Sequence, residues 1–303
     1  MEVSASGGIT QSKTVWQSLQ GLSSIAKSCI IGTFICVLTT ILSTPAQESP
    51  FRFSWPVETT LLAGGVAGDA LGQYRVSGMT PPRPSDLRRG DLAPWDRFFA
   101  GRYDAKLATA STILTFGVTG TLLYVDAWEK ASGRAGWKPF LEDGLIISEA
   151  LAWSGALNLN ARAFQIHPRP LAYDSAAPAS IRNSRDAGGA FYSGHASAAF
   201  MGAACFATIY PLRHPEFQHA GWLWVGSMAA ASTVAVLRVA SGKHFPSDVV
   251  TGAAVGTLLG WGFPKLHQSM KNGSLKAWSL SAWPSAGNDA GFTIQAARPV
   301  ADW

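Results

Sequence analysis

Charge is scarce in this chain. Only 14% of its 303 residues are Asp, Glu, Lys or Arg, against 47% hydrophobic. The formal charge of +5 is mild and no Lys/Arg run appears, so the electrostatic footprint of a nucleic-acid binder is missing. Cysteine is rarer still, at three. Two of these, Cys29 and Cys36, sit in an apolar N-terminal segment; without that segment Cys205 stands alone and no intramolecular disulfide can form. No group of Cys, His, Asp or Glu has the spacing of a zinc site, so no metal is expected. Internal repeats and low-complexity tracts are absent as well. What is left is one large domain or two small ones, helical in texture, with much surface buried in protein or lipid.

The N-terminus has the features of an export signal. Lys27 precedes the apolar run Cys29 to Leu42, and small residues Thr44 and Ala46 follow where a signal peptidase would cut. The run is shorter than the about 20 residues of a comfortable span. Residues 1–46 therefore read as a signal peptide or an N-terminal anchor, and the protein as exported. Residues 47–94 read as irregular. Leu61 to Gly68 is weakened for helix by its glycines, and the prolines of Met79 to Asp86 forbid regular structure. Trp95-Asp96-Arg97 opens the next region and receives no catalytic role.

From 95 to 270 a helical domain is expected. Nearly uncharged stretches run over Leu107–Val125, Gly144–Asn160 (with Glu149 inside), Ala196–Leu212, Ala220–Leu237 and Val249–Phe263. Prolines, among them Pro168, Pro211, Pro246 and Pro264, fall between or just outside these stretches, where helices should start or stop. Abundant Ala, Gly, Ser and Thr let helix backbones approach closely. Residues 271–303 read as a tail. In it Trp278, Leu280 and Ala282, then Phe292, Ile294 and Ala296, alternate with polar residues as in a short β-hairpin. The fold class is all-α: an antiparallel helical bundle with its site at one end, plus that C-terminal hairpin.

Against this apolar background three charged pieces stand out. They are Arg162-x6-Arg169-Pro170, Phe191-Tyr192-Ser193-Gly194-His195, and Arg238-x5-His244-x3-Asp248. The first follows a helix end, the second opens a helix, and the third closes one helix and opens another. An up-and-down bundle would bring all three to one end and leave Trp222, Trp224 and Trp261 at the other. Pro246 suits a first helical turn, and Asp248 then lies close enough to His244 to fix its tautomer and leave one ring nitrogen free as a nucleophile. Ser193 and the Gly194 amide at a helix start offer donors to an anion, and Arg162, Arg169 and Arg238 offer guanidinium forks that match phosphate oxygens. His167, His214, His219 and His267 read instead as surface or capping residues.

These residues resemble the superfamily of type 2 phosphatidic acid phosphatases, bacterial class A acid phosphatases and vanadium haloperoxidases. Its pattern is Lys-x6-Arg-Pro, then Pro-Ser-Gly-His, then Ser-Arg-x5-His-x3-Asp. Here Arg162 replaces the lysine, Tyr192 the proline, and Leu237 the serine. The resemblance implies a hydrolase of phosphate monoesters or pyrophosphates with His244 as the nucleophile that forms a phosphohistidine, Asp248 as its orienting partner, and His195 as the acid for the leaving oxygen. It implies that Arg162, Arg169, Ser193, Gly194 and Arg238 hold the phosphoryl group, with no cofactor. Vanadate would enter only in the alternative, a haloperoxidase; an acid phosphatase on small soluble esters is the other alternative. Expected partners are a phosphorylated lipid or polyprenyl phosphate, or a small phosphate ester. A membrane-associated or periplasmic location is expected, since 18 helical residues give about 27 Å, close to the hydrocarbon thickness.

Overall fold

The computed structural model describes residues 48–272, together with the backbone of two short segments beyond them. The signal or anchor reading of residues 1–46 lies outside the described residues. Among the described residues there are eight α-helices: α1 (Trp55–Ser77), α2 (Pro94–Arg97), α3 (Ala105–Ala131), α4 (Trp137–Arg162), α5 (Ala179–Arg182), α6 (Gly194–Arg213), α7 (Ala220–Ala240) and α8 (Pro246–Lys271). Backbone strands at Trp278–Trp283 and Gly291–Ala296 pair antiparallel. The residues joining them lie outside those described, so the C-terminal hairpin stays an expectation.

Local chemistry fixes where the long helices begin. Asp104 caps α3 by accepting from the Lys106 and Leu107 amides at 2.8 and 3.0 Å. Ser193 caps α6 through the Ala196 amide. Pro246 opens α8, where its missing N–H costs nothing, and Asp248 Oδ2 takes the Phe245 amide at 2.9 Å. Asp96 of α2, buried, receives both the amide and the hydroxyl of Ser247 and so ties down the same helix start.

The helix α6 lies at the centre and packs against α3, α4, α7 and α8. Its contact with α8 is the tightest seam. A Cβ at Gly252, Gly256 or Gly260 would overlap backbone carbonyl oxygens of Ser193, Ser197 and Met201 respectively. Both series ascend together, so α6 and α8 run in the same direction with almost no side chain between them. Both helices thus start at the same place. One apolar cluster of the core gathers Leu122, Ile146, Ile147, Met201, Cys205 and Ile209.

Two expectations need correcting. The region 47–94 is not irregular: Trp55–Ser77 is a 23-residue helix, glycines included. Packing overrides propensity here, because Gly65, Gly68 and Gly72 let α1 lie directly on Ala152, Ala156 and Leu159 of α4. Nor do all prolines lie outside helices. Pro211 and Pro264 sit inside α6 and α8, which continue to Arg213 and Lys271. Each removes one amide hydrogen bond, and surrounding helices keep the axis in place.

Candidate active site

Helix ends and starts converge on one cavity of about 450 Å³. Arg162 is the last residue of α4, Arg238 lies in the last turn of α7, His195 in the first turn of α6, and His244 just before α8. These four line the cavity together with Arg169, Gly194, Asn158, Asp186 and Lys243, while α3 contributes Ala108, Thr109 and Thr112. Of the residues singled out in the sequence, only Ser193 and Asp248 stand behind its wall. Both are fully buried, Ser193 as the α6 cap and Asp248 as the support of the α8 start. A Cβ at Gly194 would come within 2.7 Å of Asn158 Oδ1, so a larger residue there would displace the Asn158 side chain. Gly242, two residues before His244, turns the chain with a φ of 69° that residues bearing a side chain rarely adopt.

The tautomers of both cavity histidines can be read from their neighbours. His244 Nδ1 lies 2.9 Å from the Ala190 carbonyl oxygen, which can only accept, so Nδ1 carries the proton. Asp248 Oδ2 is farther, at 3.6 Å, and acts on the ring as a charge. The expected tautomer lock is therefore made mainly by a backbone carbonyl, and Nε2 is left with its lone pair. His195 Nε2 lies 3.3 Å from Thr112 Oγ1, whose own proton goes to the Ala108 carbonyl. That hydroxyl is thus placed to accept from Nε2–H.

Burial and the neighbouring cations favour neutral rings at both cavity histidines. Burial, then the charge of Arg238, His244 and Arg169, pushes His195 down to about 3. Burial likewise dominates at His244, and although Asp248 opposes it the imidazole falls to about 4. Burial alone would raise the Asp248 carboxyl, yet His167 and His244 beside it hold it well below the ordinary carboxylate range.

Several participants carry no signal in the sequence. Asp186 receives Arg162 Nη2 at 2.6 Å and Arg169 Nη2 at 2.9 Å, so one carboxylate aligns two of the three arginines. Arg238 donates to Ser111 Oγ of α3 at 3.1 Å. Lys243 adds a fourth cation to the cavity lining, and its position next to His244 is the single hint of this in the chain. His167 is a correction: it is no surface residue, because its Nε2 lies 3.3 Å from Asp248 Oδ1 with little of the ring exposed. Burial pulls its pKa down, but the Asp248 carboxylate outweighs burial and raises it. His267 is the second correction, being wholly buried far along α8. His214 and His219 are the C-cap of α6 and the N-cap of α7.

Residues 143–271 match the family model of the PAP2 superfamily. A lipid A 1-phosphatase of Porphyromonas gingivalis is 35% identical over 80 residues. That stretch is 26% of this chain and 17% of the relative, so the chain aligns with less than a fifth of that protein's length. No solved structure matches the chain.

Proposed function

Starting from a PAP2 superfamily segment at residues 143–271, we propose that this protein hydrolyses phosphate esters of membrane lipids or polyprenyl alcohols, with His244 as nucleophile. One observation carries the reading: Arg162, Arg169, Arg238, His195 and His244 line a single cavity. Three guanidinium groups and Lys243 supply the positive charge that a transferring phosphoryl group needs, so the proposed chemistry uses no metal.

The reaction proceeds in two steps. The Nε2 lone pair of His244 attacks phosphorus, and the ester P–O bond breaks. His195 gives its proton to the departing oxygen, and a phosphohistidine remains. Water then attacks phosphorus, His195 takes the water proton, the P–N bond breaks and inorganic phosphate leaves. Substrate itself prepares the acid. Burial and, after it, the arginine charge keep His195 deprotonated; a phosphate dianion offsets the arginine charge, so the ring gains its proton as the site fills. Thr112 orients that ring, and Ala190 with Asp248 keeps the His244 lone pair directed at the cavity.

The lipid class follows from the outer surface. Helices Ala105–Ala131 and Ala220–Ala240 are long and apolar enough to cross a membrane, with mean hydropathy 1.4 and 1.5. Their outward faces carry Phe116, Tyr124 and Trp222 at 74%, 72% and 75% exposure, the kind of exposed apolar surface that marks a membrane or partner contact. The cup lies at the first turns of α3 and the last turn of α7. A membrane around these two helices would set the cup at the interface, level with lipid headgroups. Export by way of residues 1–46 belongs to the same proposal, with the cup facing outward, and so does the bundle arrangement that gathers the charged helix ends.

Activity of purified protein on lipid, polyprenyl and water-soluble phosphates tests this, with the cell material fractionated into membrane and soluble pools. Membrane-pool activity with kcat/KM highest on the lipid phosphates is expected. A soluble protein preferring small esters would overturn the lipid assignment, and undiminished turnover by His244→Ala would overturn the site.

A further inference from the structure

Far from the cup, α1, α4 and α8 bury three ionisable side chains against one another. Glu58 stands in the first turn of α1, Glu149 in the middle of α4 and His267 near the end of α8, with exposures of 3%, 0% and 0%. One ligand atom from each lies within 4.8 Å of the others. His267 Nε2 is 2.9 Å from Glu149 Oε2 and 3.8 Å from Glu58 Oε2. The proposed phosphatase chemistry uses none of the three.

Charge does not balance here. Among the described residues, the ion pairs of both carboxylates run to His267 alone. With both carboxylates ionised, even a fully protonated imidazole leaves one negative charge in excess inside the protein. The orientation of the His267 ring is fixed as well. Its Nδ1 faces the Arg52 carbonyl oxygen at 3.4 Å, which can only accept, so Nδ1 carries a proton. In the neutral ring, Nε2 then presents a lone pair to two carboxylates. Two oxygens of the cluster, Glu58 Oε2 and Glu149 Oε1, are buried with no hydrogen-bond partner among the described residues. Natural cores seldom leave such atoms unmatched.

We infer that Glu58, Glu149 and His267 bind a divalent transition-metal cation of the zinc class. Two carboxylate oxygens and one imidazole nitrogen are a donor set for such ions, and the N–H to a backbone carbonyl is the outer contact that metal-bound histidines usually make. A cation about 2.0–2.2 Å from each donor needs ligand atoms roughly 3–4 Å apart, which small side-chain movements supply. The ion would neutralise the excess charge, satisfy the idle oxygens and clamp the first turn of α1 to α4 and α8. Its role is structural, holding α1 on the bundle.

The test uses the full chain, stripped with chelator and then given Zn²⁺ or Mn²⁺ alone. Metal per chain is measured after desalting, beside Tm by scanning fluorimetry. The expected result is about one Zn²⁺ per chain and a Tm rise of about 5–10 °C at a hundredfold excess over Kd. Glu149→Gln and Glu58→Gln should each retain less than a tenth of the metal and lose the Tm rise; Glu58→Gln keeps an acceptor for the Ser54 amide that Glu58 now receives. Wild-type protein that binds no metal overturns the inference without recourse to any variant, and leaves a shared proton as the neutralising charge. Equal retention by wild type and Glu149→Gln overturns it too, by placing the ion elsewhere.

Discussion

Two buried charge clusters among the described residues, the cup and the Glu58–Glu149–His267 group, are opposite in sign and in access. At the cup, Arg162, Arg169, Arg238 and Lys243 surround a cavity with one lining carboxylate, Asp186. Between α1, α4 and α8, two carboxylates surround one imidazole, and all three side chains are sealed from solvent. An excess of buried charge calls for a counterion, and the route to solvent decides what kind. The open, cationic cup suits an anion that must enter and leave, as a substrate does. The closed, anionic cluster suits an ion that stays.

That contrast can be broken at the cup first. Arg169→Ala removes a buried arginine from the lining and one of the two guanidinium groups that hold Asp186, and kcat/KM should fall roughly 10²–10³-fold, the usual cost of losing one charge-stabilising donor. A loss below fivefold in a folded variant would mean that Arg169 serves only to hold Asp186. Next comes the scaffold. Gly256→Ala drives a Cβ into the Ser197 carbonyl, which cannot yield without parting α6 from α8. Stability should drop by about 1–3 kcal/mol in a denaturant titration. Gly117→Ala, with open space around it, should change stability by no more than about 1 kcal/mol and in the favourable direction. Similar outcomes for both would contradict the tight seam.

Smaller effects sharpen the picture. Asp186→Asn withdraws the one carboxylate that competes for Arg162 and Arg169, so inhibition by inorganic phosphate should tighten about 3–10-fold. Unchanged or weaker inhibition would show that Asp186 orders the arginines more than it opposes the ligand. The pH profile is the most delicate. Burial first, then the charges of Arg238, His244 and Arg169, hold His195 at about 3, and a bound phosphate would oppose those charges. Because His195 acts protonated, activity declines as pH rises through its pKa. The alkaline limb of kcat should therefore lie about one unit or more above that of kcat/KM, which reports free enzyme. Coincident limbs would remove substrate from the control of His195.

Much of the cup is legible in the amino-acid sequence alone, because its parts sit at helix boundaries. His195, Arg238 and His244 owe their meeting to helix direction, and direction follows from where apolar stretches stop. Asp186 cannot be read that way. It lies in a loop between two of the charged pieces, with no spacing to tie it to Arg162 or Arg169. His167 has the local pattern of a loop residue beside a proline, and only the fold brings it to Asp248. The glycine-rich α1 is hidden for a different reason: its helicity comes from the face of α4 it rests on, and intrinsic propensity points the other way. The Glu58, Glu149 and His267 cluster joins three distant stretches and has no local pattern at all.

The central claim is that His244 carries the phosphoryl group, and trapping it is the direct measurement. Wild-type protein, quenched within milliseconds of mixing with a ³²P-labelled lipid phosphate, should hold label that is stable to base and lost in acid, mapping to the peptide containing His244. The same label on His244→Ala protein, or acid-stable label on another residue, would contradict the account.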